Sequence, residues 1–283
     1  MKIDKRRQIL SKFLGYGNSE NARIVFIGIE PGGNFWRLEK GQLQQYCYEE
    51  KEKRADRRLL VYEKGCVNHL LPFEYWHEEL QIEKSEYDKK AEEWSNNLGI
   101  TERMQIYLSM KIRKEIFKED IDSNFDIKKY YVNHFCREKE LQINLSPVAK
   151  PKVNTDYGKD VLDYLCLESK DDVWKEFVTG KRCNLLNKVC QDAKKNDSYF
   201  FVIGRNKLEE YIRPIFDYWN NFPSENCLPS ENFPVIQHGN KRIHCYWSDK
   251  GRVWFLPHPS HGWIKKELID FIVNQIKKLN PNP

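Results

Sequence analysis

Four short apolar runs interrupt a chain that is otherwise strongly polar. ARIVFIGIEPGG, from Ala22 to Gly33, is a β-branched run that stops at a proline and two glycines. It reads as a buried strand followed by a tight loop. ELQINLSPVAKP, from Glu140 to Pro151, is a second short strand entering a loop bounded by prolines. SYFFVIGRN is a third, ending at Gly204, and RVWFLPHPSHGW holds a fourth from Val253 to Leu256. KRIHCYWSDKGRVWFL reads as a hairpin turning about Asp249 to Gly251, with the fourth strand as its second arm.

The stretches between these runs carry apolar residues at helical spacing. YCYEEKEKRADRRLLVYEKG, EKSEYDKKAEEWSNNLG and TERMQIYLSMKIRKEIFKED are highly charged and predict amphipathic surface helices. DDVWKEFVTGKRCNLLNKVCQDAKKN predicts two helices broken at Gly180, and KLEEYIRPIFDYW a helix after the third strand. WIKKELIDFIVNQIKKL places Ile264, Leu268, Ile272 and Ile276 on one face of a packed terminal helix. Strands alternating with helices predict a three-layer α/β/α fold around a mainly parallel four-stranded sheet. Residues 1–283 read as a single domain, with a large, charged helical insertion at about 38–139 between the first two strands.

Composition changes this picture little. Hydrophobic residues make up 40% of 283 positions, enough for a sizeable core, and the net charge of +5 permits a polyanionic partner without requiring one. None of the eight cysteines forms a C-x-x-C pair, so zinc-ribbon and iron–sulfur spacings are missing. The beginning, MKIDKRRQIL, lacks the apolar stretch of a signal peptide, and no apolar run is long enough to span a bilayer. An intracellular, cytoplasmic protein with mostly buried, reduced thiols is expected.

Sites in open parallel sheets form beyond the carboxyl ends of the strands. Those ends read Glu30-Pro31-Gly32-Gly33, Asn144-Leu145-Ser146-Pro147, Gly204-Arg205-Asn206 and His258-Pro259-Ser260-His261. A carboxylate, an amide and a histidine therefore come from three strands and are expected to converge.

On these residues the sequence resembles the uracil-DNA glycosylase superfamily. Gly28-Ile29-Glu30-Pro31-Gly32 matches its first motif, a Gly-x-polar-Pro loop after the first strand. Asn144 stands where the family's base-reading asparagine closes the second strand, and His258-Pro259-Ser260 matches the final His-Pro-Ser motif. The matching regions are roughly 22–36, 140–151, 199–215 and 252–276. The resemblance implies hydrolysis of an N-glycosidic bond, through a cationic sugar and an anionic departing base. His258, between prolines, would donate a hydrogen bond to that base. Glu30 would orient the attacking water, at a position where the best-known members carry Asp or Asn. Asn144 offers a donor and an acceptor to the edge of a flipped base. The strictest uracil enzymes place a tyrosine after Pro31, and this chain has Gly32 and Gly33. That departure is closer to branches that accept 5-substituted pyrimidines, some of which remove glucosylated hydroxymethylcytosine from phage DNA.

The resemblance makes Gly28, Ile29, Pro31, Gly32, Gly33, Phe35, Trp36 and Asn144 candidates for holding the base, with Phe35 and Trp36 as stacking partners. Arg205 and Asn206 are candidates for a DNA phosphate, alongside Ser260 and His261, and Trp263 for the wedge that fills the emptied stack. Each has a structural reading too. His258 can be a hydrogen-bonded turn residue, or with His261 half of a metal site that lacks a third ligand. Glu30 can cap a helix, Asn144 can hold the loop before Pro147, Phe35 and Trp36 can be core, and Arg205 can be solvated surface. The expectation is a monofunctional DNA glycosylase with DNA as partner, without metal, cofactor, membrane or obligate protein partner. Repair and anti-phage defence both remain open as its role. Two alternatives stand beside it: a catalytically inactive nucleic-acid-binding module with the same fold, and a nucleoside or nucleotide hydrolase. Gly32 supplies the first test. Gly32→Tyr is expected to suppress release of bulky 5-modified pyrimidines far more than DNA binding, with thermal unfolding confirming that the variant folds. Release at the parent rate by the folded variant removes Gly32 from the pocket.

Overall fold

All four apolar runs form strands, and the four lie side by side in parallel. The computed structural model describes residues 1–28, 98–121, 126–148, 157–204, 235–238, 241–244, 246–247, 251–256 and 266–281, with isolated positions at 56, 59, 60, 62, 63, 66, 67 and 89. In chain order its elements are α1 (Ile3–Lys12), β1 (Gly15–Gly17), β2 (Ile24–Gly28), β3 (Cys66–Val67), α2 (Ile100–Glu115), α3 (Ile127–Asn133), β4 (Glu140–Asn144), α4 (Lys159–Leu165), α5 (Lys170–Phe177), α6 (Lys181–Lys195), β5 (Tyr199–Ile203), β6 (Val235–His238), β7 (Lys241–His244), β8 (Tyr246–Trp247), β9 (Val253–Leu256) and α7 (Lys266–Leu279).

The main sheet has the order β3-β1-β4-β2-β5-β9-β8. Its centre, β4-β2-β5-β9, is the expected parallel four-stranded core. Three short strands widen it to seven. β8 pairs antiparallel with β9, as the hairpin reading predicts, while β1 pairs antiparallel with β4 and parallel with β3. β6 and β7 make a separate antiparallel pair.

β1 escapes sequence pattern because it is Gly-Tyr-Gly. A Cβ on Gly15 would lie 1.9 Å from the Gln142 carbonyl oxygen, and one on Gly17 2.1 Å from that of Glu140. Only glycine lets β1 approach β4 this closely, and both glycines have positive φ. The residues that signal a strand by their side chains are the ones excluded here.

Alternation along the strands builds the three layers. Val25, Ile27, Leu141, Ile143, Phe200, Val202 and Phe255 pack on one face with Leu186, Val189, Cys190 and Ala193 of α6. Ile24, Phe26, Phe201, Ile203, Trp254 and Leu256 face the other way, with apolar residues of α2, α3 and α7. The helical break predicted at Gly180 separates α5 from α6, and α7 buries Leu268, Ile272 and Ile276. Lys277 Nζ of α7 also reaches Glu115 of α2 at 2.6 Å.

α2 departs from its expected place. It lies in the stretch read as a surface insertion, yet it buries Met104, Ile106, Leu108, Met110 and Ile112 in the core. It buries polar residues as well: Gln105, Ser109 and Arg113, spaced four apart. These run antiparallel to the polar side of β4, where Glu140, Gln142 and Asn144 alternate with Leu141 and Ile143. Gln142 Nε2 donates to Gln105 Oε1 at 3.4 Å, and Arg113 Nη1 lies 3.9 Å from Glu140.

Cys136 and Cys190 are buried, Cys183 is half-buried and Cys166 is exposed, and these four are free thiols. Among the described residues no helix is long and apolar enough to cross a membrane.

The amino end of the polar side of β4 holds a charged cluster. Glu140 is fully buried and accepts hydrogen bonds from the Tyr130 hydroxyl and, at 2.9 Å, from the Cys136 N–H. Arg113 Nε donates to Glu119 at 2.7 Å, and Lys139 Nζ donates to the same carboxylate at 2.8 Å. Burial pushes the Glu140 carboxyl up to about 7 against the hydrogen bonds and Arg113, which pull it down from that height. Its folded value thus lies above the ordinary 4.5. The stabilising contribution is complete below about pH 4.5 and is lost as pH rises through about 7, a swing on the order of 3 kcal/mol. Urea unfolding at pH 5, 6, 7 and 8 is expected to show this decline in the parent and its absence in Glu140→Gln. Parallel pH profiles for the two proteins rule out Glu140 as the titrating group.

Candidate functional site at the carboxyl ends of the strands

Strand register sets the outline of the site. β2 and β4 pair Gly28 with Asn144, β2 and β5 pair Ile27 with Val202, and β5 and β9 pair Ile203 with Leu256. The ladder continues past the strand ends, with Leu145 N–H donating to Gly28 O at 2.9 Å and Gly204 N–H to Leu256 O at 3.0 Å. The four strands therefore finish in one row. At about 4.8 Å per strand the row spans about 14 Å.

Connectivity places a topological switch point beside β2. After β2 the chain returns through α2 and α3 on one face of the sheet, and after β4 it returns through α6 on the other. The order β4-β2-β5 means that the path moves first to one side of β2 and then to the opposite side. Ligands of open α/β sheets bind at such reversals, beyond the carboxyl ends of the strands.

Asn144 closes β4 and is only 6% exposed. Among the described residues no side-chain hydrogen bond joins its amide to a neighbour. Its neighbour is bare backbone: a Cβ built on Gly28 would come within 3.1 Å of Asn144 Oδ1. Gly28 therefore makes the room in which the amide lies.

The chain after Asn144 is held firmly. Leu145, Ser146, Pro147 and Val148 are all buried. Ser146 Oγ accepts from Val148 N–H at 3.2 Å and shares a hydrogen bond with the Tyr157 hydroxyl at 3.2 Å. Arg182, near the start of α6, is fully buried beneath this turn. Its Nη2 donates to Asn144 O at 2.7 Å and its Nη1 to Leu145 O. The same guanidinium donates to Phe13 O at 2.8 Å and Leu14 O at 3.3 Å. At the end of β5, Gly204 has φ 102°, a backbone state that side chains disfavour.

Of the residues singled out from sequence, Gly28 and Asn144 are described, and the structure brings them together. Ile29, Glu30, Pro31, Gly32, Gly33, Phe35, Trp36, Arg205, Asn206, His258, Ser260, His261 and Trp263 lie outside the described residues. Arg182 was missed by sequence reasoning. Its run, GKRCN, has the composition of a solvated helix start, and no local signal distinguishes a buried arginine there. No protein-family model, curated protein or solved structure matches the chain.

The contact between Gly28 and Asn144 is directly testable. In Gly28→Ala the added methyl is expected to displace the carboxamide by a few tenths of an ångström while the strand keeps its pairing. The Asn144 side-chain amide resonances in a ¹H–¹⁵N spectrum should move, and those of Gln105 should not. Unchanged Asn144 resonances separate the two residues.

Proposed function

We propose that the protein is a monofunctional DNA glycosylase that hydrolyses the N-glycosidic bond of a flipped, 5-modified or damaged pyrimidine. The observation that carries this reading is Asn144: a residue 6% exposed at the carboxyl edge of a parallel sheet, its amide Oδ1 beside the bare backbone of Gly28. A base edge that presents one acceptor and one donor satisfies both halves of such an amide. The chain that follows Gly28 carries Glu30 two residues on, and the chain that follows Leu256 carries His258 two residues on. Short connections from a shared row of strand ends support convergence of the three.

Each group then has one task. Asn144 holds the extruded base by its polar edge. The imidazole of His258 donates a hydrogen bond to the base oxygen as the glycosidic bond lengthens and the electron pair moves onto the base. Glu30, on the far side of the sugar, accepts a proton from the water that attacks the cationic anomeric carbon. Gly32 and Gly33 leave space for a substituent at the pyrimidine 5-position. The cytoplasm is the compartment in which such an enzyme meets DNA, in repair or in defence against phage.

The deciding experiment incubates the protein with unmodified DNA, uracil-containing DNA and DNA carrying glucosylated hydroxymethylcytosine. Any released base is identified by mass spectrometry. Release of a base is expected. His258→Ala should lower kcat by about 10²–10³-fold with KM nearly constant, and Glu30→Gln should lower turnover by about 10² or more. DNA binding without base release points to a silent binding module, and release only from free nucleosides to a nucleoside hydrolase. Either result overturns the proposal.

A further inference from the structure

The fully buried guanidinium of Arg182 joins two segments that are far apart in sequence. Its donors go to the carbonyls of Phe13 and Leu14, where α1 leads into β1, and to those of Asn144 and Leu145, where β4 ends. Apolar contacts already fasten α6 to the sheet through Leu186, Val189 and Cys190. A charge removed from water is an expensive way to repeat that work. What the guanidinium adds is direction: five N–H donors in one rigid plane, matched to carbonyls at fixed angles.

We propose that Arg182 is a positioning residue for the Asn144 carboxamide, an inference that rests on the glycosylase reading for its catalytic consequence and on geometry for the rest. Two devices set that side chain. Arg182 fixes the main chain of residue 144 through the 2.7 Å bond to its carbonyl, and the next peptide through Leu145 O. Gly28 then limits where the amide lies, with Oδ1 against bare backbone. Without the guanidinium, two buried carbonyls at the end of β4 lose a donor and the turn has reason to rearrange. The site amide would turn with it. An amide held in advance reads a base without first being ordered, which is the advantage of a supported site.

Lysine keeps the charge of Arg182 and loses the fork, so the test is Arg182→Lys in the full chain, in the parent and Asn144→Ala backgrounds. If Arg182 acts through Asn144, kcat/KM for base release falls about 10- to 100-fold in the parent background and no further where Asn144 is already replaced. The same loss in both backgrounds overturns the proposal, because a merely structural role is additive. A second readout does not depend on activity. The Asn144 side-chain amide resonances should shift or broaden in folded Arg182→Lys while those of Gln105 stay in place; an unmoved Asn144 amide overturns the proposal. Should the parent release no base from any DNA, the glycosylase reading falls and this resonance alone decides the clamp. If Arg182→Lys does not fold, the parent decides it: Arg182 Nη–H groups, the donors to Asn144 O and Leu145 O, that exchange slowly with solvent support the clamp, and ones that exchange freely overturn it.

Discussion

The hydrogen-bond ladder that pairs Gly28 with Asn144 and carries on to Leu145 holds the candidate site together. Strand pairing has a period of two, so a slip of one residue would send Asn144 to the α6 face and Leu145 to the α2 face. The slip is opposed along the whole strand. Leu141, Ile143 and Leu145 belong to the apolar cluster on the α6 side, and Glu140 must meet Tyr130 and Arg113 on the other. The register that buries the core is thus the register that delivers the amide to the sheet edge.

β4 is unusual among the central strands because one of its sides is polar for its full length. Its two ends are secured by buried ionisable groups of opposite kind, one acidic and one basic. At the amino end a buried carboxylate, Glu140, gathers donors from Tyr130 and Cys136. At the carboxyl end a buried guanidinium, Arg182, gathers four carbonyls. Both groups are deprived of water, so each depends on partners whose geometry is right. Such networks add less to stability than apolar packing of the same volume, and they specify one arrangement more sharply. A strand that must present a polar side chain at a defined point gains from that sharpness.

The fold was legible wherever hydrophobic period and buried face coincide. The four central strands are apolar runs, the break at Gly180 separates two helices, and the face Leu268–Ile272–Ile276 of α7 is buried as its spacing predicts. The strand order and the burial of α2 were not legible. The polar stripe Gln105–Ser109–Arg113 has the pattern of a solvated helix side, and only the matching polar side of β4 turns it inward. β1 was hidden for a related reason, since Gly15 and Gly17 carry no side chains to signal a strand and are needed for that absence.

For the site the division is similar. The chain by itself determined which groups stand at strand ends, because an apolar run that stops abruptly marks its own terminus. It singled out Gly28 and Asn144 separately, 116 positions apart. Their adjacency, with Asn144 Oδ1 3.1 Å from where a Gly28 Cβ would lie, came from the pairing of β2 with β4. Arg182 was decided by tertiary structure alone. A guanidinium in a GKR run is ordinarily solvated, and it is buried here because four backbone carbonyls from two distant segments meet at one point. Local sequence specifies which backbone segments form elements; where their leftover carbonyls converge is a property of the assembled chain.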